Sequence, residues 1–507
     1  MTKKLKQKKE PPDNNQNLLT PIHNGKSTWK WRAWHEREIP VKVNSSYVND
    51  KIYVKISSSA INKLLTIRYP QNLWKSLPAS LKNKLLNNIA YAYTAHFPLV
   101  IDKNVRLEFN TEYPQVYSWS NQSFMKFLPA YWYMHSAKRG THILPILKTI
   151  LNTTHTFKAT NNENFSFSPS NEKYVVLPFT FGKDSFLTYH LVKRLGFKPI
   201  LFWVNDPLSP YESKHKLDLF NSFSKEIHDP IICVDSELET LRDLGMSWFG
   251  WEIPLTAWAI LAIPIARQWK AKYIIFSNER STEAFFYDHD GLKVVPDYEQ
   301  STQAVDEISL LTQSLSNGNV FTTSFLQGLD EITIISILAE EFSKNTFKNL
   351  MSCGSAHECA ESRWCGKCSK CARLYLYLSA NGINPLKEVG FGENMFKTSK
   401  QGLYNVFGQT AAGSLFDAFG LNTEEQAFAF YLCYLRGIKD PLVNKFTKTK
   451  YFKDVENRFD YFLNEYYRQH EERVTPSVCK QALSKLCEGI LARVRKKAKA
   501  LHKAALV

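Results

Sequence analysis

From Tyr174 onward, short unbroken apolar runs alternate with longer stretches in which apolar residues recur every three or four positions. The runs are Tyr174–Phe179 (YVVLPF), Pro199–Val204 (PILFWV), Pro230–Val234 (PIICV) and Lys272–Phe276 (KYIIF). Between them, Asp184–Leu195, a segment near Lys214–Ile227, and Pro254–Trp269 carry the helical period. Strands apolar on both sides and separated by helices predict an α/β fold, a parallel sheet with helices on both faces. The preceding region, 28–165, is mixed. It holds a Trp-rich start (Trp29, Trp31, Trp34), the run KIYVKISSS, a helical stretch near Pro78–Ala95, and two predicted strands, Phe97–Val100 and Val105–Asn110. It is expected to be a separate N-terminal α+β domain, divided by the polar stretch Asn152–Lys173 from an α/β domain over 172–350. A Cys-rich segment, 351–385, and a helical C-terminal region, 386–507, complete the predicted order. That region contains the apolar helix Glu424–Gly437 and a last helix, Pro476–Ala505. Residues 1–27 are polar and Lys-rich, and are expected to be a disordered basic tail.

In a parallel sheet of this kind, ligands bind outside the carboxyl ends of the strands. Gly182–Ser185, Asn205 and Asp206, Asp235, and Ser277–Arg280 all follow predicted strands, so polar groups gather on one rim. The first is the most informative. Strand Tyr174–Phe179 runs into Thr180, Phe181, Gly182, Lys183, Asp184 and Ser185, and a helix begins at once. A glycine turn at a helix N-terminus suits an anion, because backbone N–H groups and the helix dipole point at it. Gly182 tolerates a positive φ and a close approach of backbone to ligand, and Ser185 adds a hydroxyl donor. Asp184 beside a polyphosphate calls for an intervening cation, Mg²⁺.

Five of the nine cysteines fall between Cys353 and Cys371. Cys365, Cys368 and Cys371 are spaced to offer three thiolates over one tight turn, and an upstream residue can close a tetrahedron around Zn²⁺. Cys353 and Cys359 compete for the fourth place, with His357 a weaker candidate. An iron–sulfur cluster uses the same kind of ligand set. Cys233, Cys433, Cys479 and Cys487 read as small buried hydrophobes.

The formal charge is +16, but it is concentrated at the ends. The first ten residues carry five Lys against one Glu, and Arg493–Lys503 carries six Lys or Arg and no acid. Such runs are more often solvated tails than nucleic-acid platforms, so a nucleic-acid partner is not favoured. No apolar run approaches the roughly 20 residues of a membrane span. No apolar segment follows the basic N-terminus, so no secretory signal is expected, and a cytoplasmic location is.

Taken together, the strand, the G-K-D-S turn, the parallel sheet and the late Cys-x₂-Cys-x₂-Cys resemble the PP-loop ATP pyrophosphatases over Tyr174–Pro385. The cysteine cluster is similar to that of the 7-cyano-7-deazaguanine synthases. SNERS (Ser277–Ser281), YEQSTQAVDE (Tyr298–Glu307) and WCGKCSKC look closer to the ATP-dependent epimerases acting on the terminal glutamate of UDP-N-acetylmuramoyl-L-alanyl-L-glutamate. The resemblance implies an ATP- and Mg²⁺-dependent enzyme that activates a carboxylate on a small acidic substrate as an adenylate, releasing pyrophosphate. By the same resemblance, Thr180–Ser185 would bind the nucleotide, with Lys183, Asp184 and Ser185 acting on the phosphates. Val204 and Asn205 would border adenine, with Ser277 and Asn278 completing the nucleotide site. Glu279 and Arg280 would face the acceptor, Glu279 as candidate base and Arg280 as a bidentate grip on a carboxylate. The family loop is usually Ser-Gly-Gly-x-Asp-Ser, and here Thr180 and Phe181 replace its first two members. Either the Phe181 ring turns into the sheet–helix interface, or it blocks the phosphate site. Two other readings stand beside this one: a related enzyme modifying a deazapurine, a tRNA base or a protein terminus, and a non-catalytic nucleotide-binding protein. Oligomeric state is open.

Overall fold

The computed structural model describes residues 38–101, 104–139, 143–158, 167, 170–205, 210–243, 254–288, 291–342, 344–353, 362–408 and 421–505. The expected basic tail, the Trp-rich start, Asp206, His357 and Cys359 lie outside the described residues. Residues Ile39–Val507 cluster as one compact unit.

Among the described residues twelve strands form in chain order: β1 (Ile39–Val48), β2 (Lys51–Ser57), β3 (Asn62–Arg68), β4 (Val105–Glu112), β5 (Thr154–Lys158), β6 (Asn171–Pro178), β7 (Lys198–Asn205), β8 (Ile231–Ser236), β9 (Ala271–Phe276), β10 (Phe286–Tyr287), β11 (Lys293–Val294) and β12 (Phe321–Ser324). Apart from the small β10–β11 hairpin, they belong to a single sheet ordered β12-β9-β6-β7-β8-β3-β2-β1-β4-β5. The five strands from β12 to β8 are mutually parallel. β3 joins them antiparallel through Ile67 opposite Ser236 and Arg68 opposite Asp235. The molecule is therefore mixed α/β with a mostly parallel sheet. The expected α+β and α/β segments contribute to one sheet.

Side-chain alternation explains how the two halves differ. Along β6, Val175 and Leu177 enter one core while Val176 enters the other; Leu201 and Trp203 of β7 oppose Ile200, Phe202 and Val204 in the same way. Both faces are apolar because helices cover both. The helix Lys183–Arg194 and the C-terminal helices bury the first face, and the helices Pro254–Trp269, Thr302–Leu315 and Ala79–Ala92 bury the second. In β2 only Ile52, Val54 and Ile56 are buried, alternating with more exposed residues, as expected of a strand covered on one side.

One expected strand is a helix. Phe97–Ile101 forms a short helical segment, with the amides of Leu99 and Val100 bonded to the His96 carbonyl. Pro98 near its start supplies a φ suited to a first helical turn, and a five-residue apolar run has too little periodicity to distinguish the two. β5 lies inside the polar stretch that marked the expected boundary, and its pattern, Thr-His-Thr-Phe-Lys, is too polar to announce itself.

The order β12-β9-β6-β7-β8 means that the chain winds outward from β6 through β7 and β8, then returns to β6's other side for β9 and β12. The direction of winding reverses between β6 and β9, and in parallel sheets ligands bind outside the carboxyl ends of strands at such a point.

At the join between the halves, the buried Tyr69 stacks on Trp74 and donates from its hydroxyl to the Leu261 carbonyl at 3.0 Å. Tyr69→Phe should lower stability by about 1 kcal/mol through the lost bond and the orphaned carbonyl. A fall in the denaturant midpoint with unchanged m-value would show this; an unchanged midpoint would deny the join its hydrogen bond.

Candidate functional site

The loop after β6 lies at the winding reversal. The helix Lys183–Arg194 begins directly after Gly182, whose φ of −80° and ψ of 163° are those of an extended cap. The positive φ expected at Gly182 falls one residue earlier, on Phe181, at 60°. A left-handed conformation is costly for a residue with a Cβ, and here packing holds it. The fully buried Phe181 ring meets Phe179, Trp203 and Phe223 edge-on, with centroids at 5.1, 6.0 and 6.2 Å. The ring points into the sheet–helix interface. At Gly182 the constraint is space: a Cβ there would lie a tight 3.3 Å from the Ser352 hydroxyl. Ser352 belongs to a segment that crosses the loop. Its Oγ accepts from the Lys183 amide at 3.3 Å, and the Met351 amide donates to the Phe181 carbonyl at 2.8 Å. Ser185 is buried and donates back to the Gly182 carbonyl at 3.0 Å, bracing the turn. Thr180 is half-buried beside it.

Lys183 forms the centre of the site. Its side chain is 3% exposed, and its ammonium meets Asp184 Oδ1 at 2.5 Å, Glu279 Oε2 at 2.9 Å and Glu331 Oε1 at 3.4 Å. Burial alone would lower the lysine's pKa; the three carboxylates outweigh it and raise it, keeping the charge. Glu279 is pushed well above the ordinary carboxylate range, chiefly by burial and against the pull of Lys183. Asp184 is the most open of the three carboxylates, with its side chain 31% exposed. Ser277 and Asn278, which follow β9, bury Oγ and Nδ2 without a partner among the described residues.

The Lys183–Glu279 pair thus brings the loop after β6 beside the segment that follows β9. Arg280 turns aside: its guanidinium binds both oxygens of Asp330 at 3.0 Å and Glu465 at 2.9 Å. Val204 is buried in β7, and Asn205 pairs with Asp235 across β7 and β8 at 2.9 Å, so these form a second polar spot along the rim. Sequence reasoning missed Glu331, which also binds the buried Arg373, and Glu425, which accepts from the Ile332 amide at 2.7 Å. Burial, then the charges of Asp330 and Glu331, push Glu425 up to about 8. Asp330 and Glu331 open the helix Glu331–Glu341 right after β12. Acidic residues at a helix start were the available signal, but β12 is only four residues long and escaped notice.

The second centre is built by Cys353, Cys365, Cys368 and Cys371, all buried, with their sulfurs within 4.8 Å of one another. Cys365 lies 3.4 Å from Cys368 and 3.7 Å from Cys371. Zinc–thiolate bonds of about 2.3 Å set the edge of a tetrahedron near 3.8 Å, so the cluster fits a metal such as zinc. Amides of Lys367 and Cys371 donate to the sulfurs of Cys365 and Cys368, each at 3.4 Å, which favours thiolates. Cys368 also caps the helix Ser369–Ala380, placing its sulfur at a positive dipole end. Gly366 makes the knuckle possible through its φ of 63°, a left-handed conformation that strains residues with a Cβ. Away from the cluster, burial pushes Cys487 and Cys233 up to about 12 and Cys479 to about 11, leaving protonated thiols.

Elsewhere, the basic C-terminal run is partly matched within the chain. Arg493 pairs with Glu340 and Glu341, Lys497 with Glu340, Arg495 with Glu488, and Lys499 with Asp460. No helix among the described residues is long and apolar enough to cross a membrane.

The sequence matches no protein-family model, and no curated protein matches it.

Purified protein should carry about one zinc per chain, as a closed tetrathiolate site does. Cys365→Ser should lose it and Cys359→Ser should keep it by elemental analysis. A metal-free or iron-rich wild type would overturn the assignment. Phe181→Gly should relieve about 1–2 kcal/mol of backbone strain but lose roughly 3–5 kcal/mol of ring packing. A lower denaturation midpoint is the expected net result; a rise would show that strain dominates.

Proposed function

We propose that this chain is an ATP-dependent adenylating enzyme of the PP-loop kind, acting on a carboxylate of a small acidic molecule. One observation carries the reading: Lys183, at the start of the helix after β6, meets Glu279, at the end of β9, across the winding reversal of a parallel sheet. Nucleotides occupy such crevices, and a cation at a helix N-terminus suits their phosphates. The inward turn of Phe181 supports the same reading, because the ring leaves the loop mouth to Asp184.

On this reading the acceptor carboxylate oxygen attacks the α-phosphorus of ATP. The bond to the bridging oxygen breaks, and pyrophosphate leaves against the loop and Lys183. Ser185 and Ser352 hold the loop's shape, so the chain contributes positioning and charge neutralisation. Asp184 is the residue open enough to hold Mg²⁺, which would offset phosphate charge. Arg280, engaged by Asp330 and Glu465, braces the rim in place of gripping the acceptor.

The acceptor favoured by the resemblance is the terminal L-glutamate of UDP-N-acetylmuramoyl-L-alanyl-L-glutamate. Adenylation would acidify its α-carbon, and Glu279, with its raised pKa, is the candidate proton-transfer group. A nucleic-acid acceptor draws less support, since the C-terminal basic run is partly paired within the chain.

Exchange of labelled pyrophosphate into ATP, measured with this acceptor, with a deazapurine and with neither, tests the proposal. Exchange dependent on the glutamyl acceptor is expected, and Asp184→Asn should slow it by about 10²–10³. No exchange with any acceptor, or an unimpaired Asp184→Asn, would refute it.

A further inference from the structure

We propose that the four-cysteine centre is the clamp that sets the conformation of the Thr180–Ser185 loop, with Ser352, Glu331 and Arg373 as positioning residues. Two separate paths join the centre to the loop. In the first, Met351, Ser352 and Cys353 are consecutive and belong to neither helix nor strand. Cys353 is a member of the sulfur cluster, while the two residues before it bond the loop at the Lys183 amide and the Phe181 carbonyl. Neighbouring α-carbons are about 3.8 Å apart, so fixing the Cys353 sulfur confines Ser352 closely. The second path leaves from the other side of the cluster. Cys371 and Arg373 share the helix Ser369–Ala380; Arg373 binds Glu331, and Glu331 reaches the Lys183 ammonium at 3.4 Å. Every side chain on this path is buried.

The two paths end on different parts of one residue, the amide and the ammonium of Lys183. An ion drawing four sulfurs together would therefore fix the loop's backbone and its charged side chain at once. A centre that served folding alone would have no need to touch the loop through consecutive residues of an irregular segment. The inference concerns the loop's conformation whatever it binds, so it is independent of the nucleotide reading and its test uses no ATP.

Amide hydrogen exchange on the metal-loaded full chain provides that test. Ser352→Ala keeps all four thiolates, so its metal content should stay at the wild-type level. The amides from Gly182 to Ser185 should nonetheless exchange roughly fivefold faster, the effect of one lost hydrogen bond. Ser352→Thr should restore wild-type protection, and Val175–Leu177 in β6 should not change in either variant. Chelation under reducing conditions should raise exchange across Thr180–Ser185 further than Ser352→Ala does. Wild-type exchange across the loop in fully metallated Ser352→Ala would overturn the proposal. So would unchanged loop exchange in a chelated chain that keeps its far-UV dichroism. If chelation unfolds the whole sheet, the metallated Ser352→Ala and Ser352→Thr pair decides alone.

Discussion

Burying an ammonium ion is tolerable only where opposite charge is brought to it, and the site is organised around that requirement. Lys183 draws carboxylates from three places: the next residue, the end of β9, and the first turn of the helix after β12. Desolvating such a group alone would cost several kcal/mol, and removing one partner of a buried pair costs about 3–5 kcal/mol because it leaves the other charge uncompensated. The carboxylates in turn need the cation. Glu279 stays partly uncompensated, as its raised pKa shows, and Glu331 requires Arg373 as a second counter-charge. The rim thus holds more acid than base around Lys183.

Much of this was legible beforehand, for definite reasons. The strands β6, β7, β8 and β9 and the helices between them were readable because both sheet faces are covered, which makes the strands uniformly apolar. The helix Pro254–Trp269 has the bounds its periodicity predicted. The Gly182–Ser185 turn and the cysteine spacing were readable because the chemistry constrains residue type at short range. What escaped depends on long range. The pairing of Ile67 with Ser236 joins two segments that composition had separated. The contribution of Glu331 depends on β12 being next to β9, and strand order is not written in any local pattern.

Phe181 shows how local and distant constraints combine. Its positive φ was expected of the following glycine, because glycine adopts it freely. An aromatic cage from β7 and the helix Pro210–Glu226 holds a phenylalanine there, and Gly182 leaves Ser352 room to lie against the loop. The loop's shape is therefore enforced by its surroundings rather than by its own residues.

The seam between β3 and β8 also has a consequence during synthesis. Glu237, just past β8, bonds the Thr66 amide and hydroxyl across 171 positions of chain. At about 5–20 residues per second, β3 would leave the ribosome roughly 10–30 seconds before its partner strand exists. Through that interval the β1–β2–β3 meander presents an open backbone edge, the kind of surface that recruits the wrong neighbour. Lys63 and Arg68 on β3 are the sort of charged residues that discourage such pairing. The sheet that unites the two halves thus makes the nascent N-terminal strands wait for the rest of the chain.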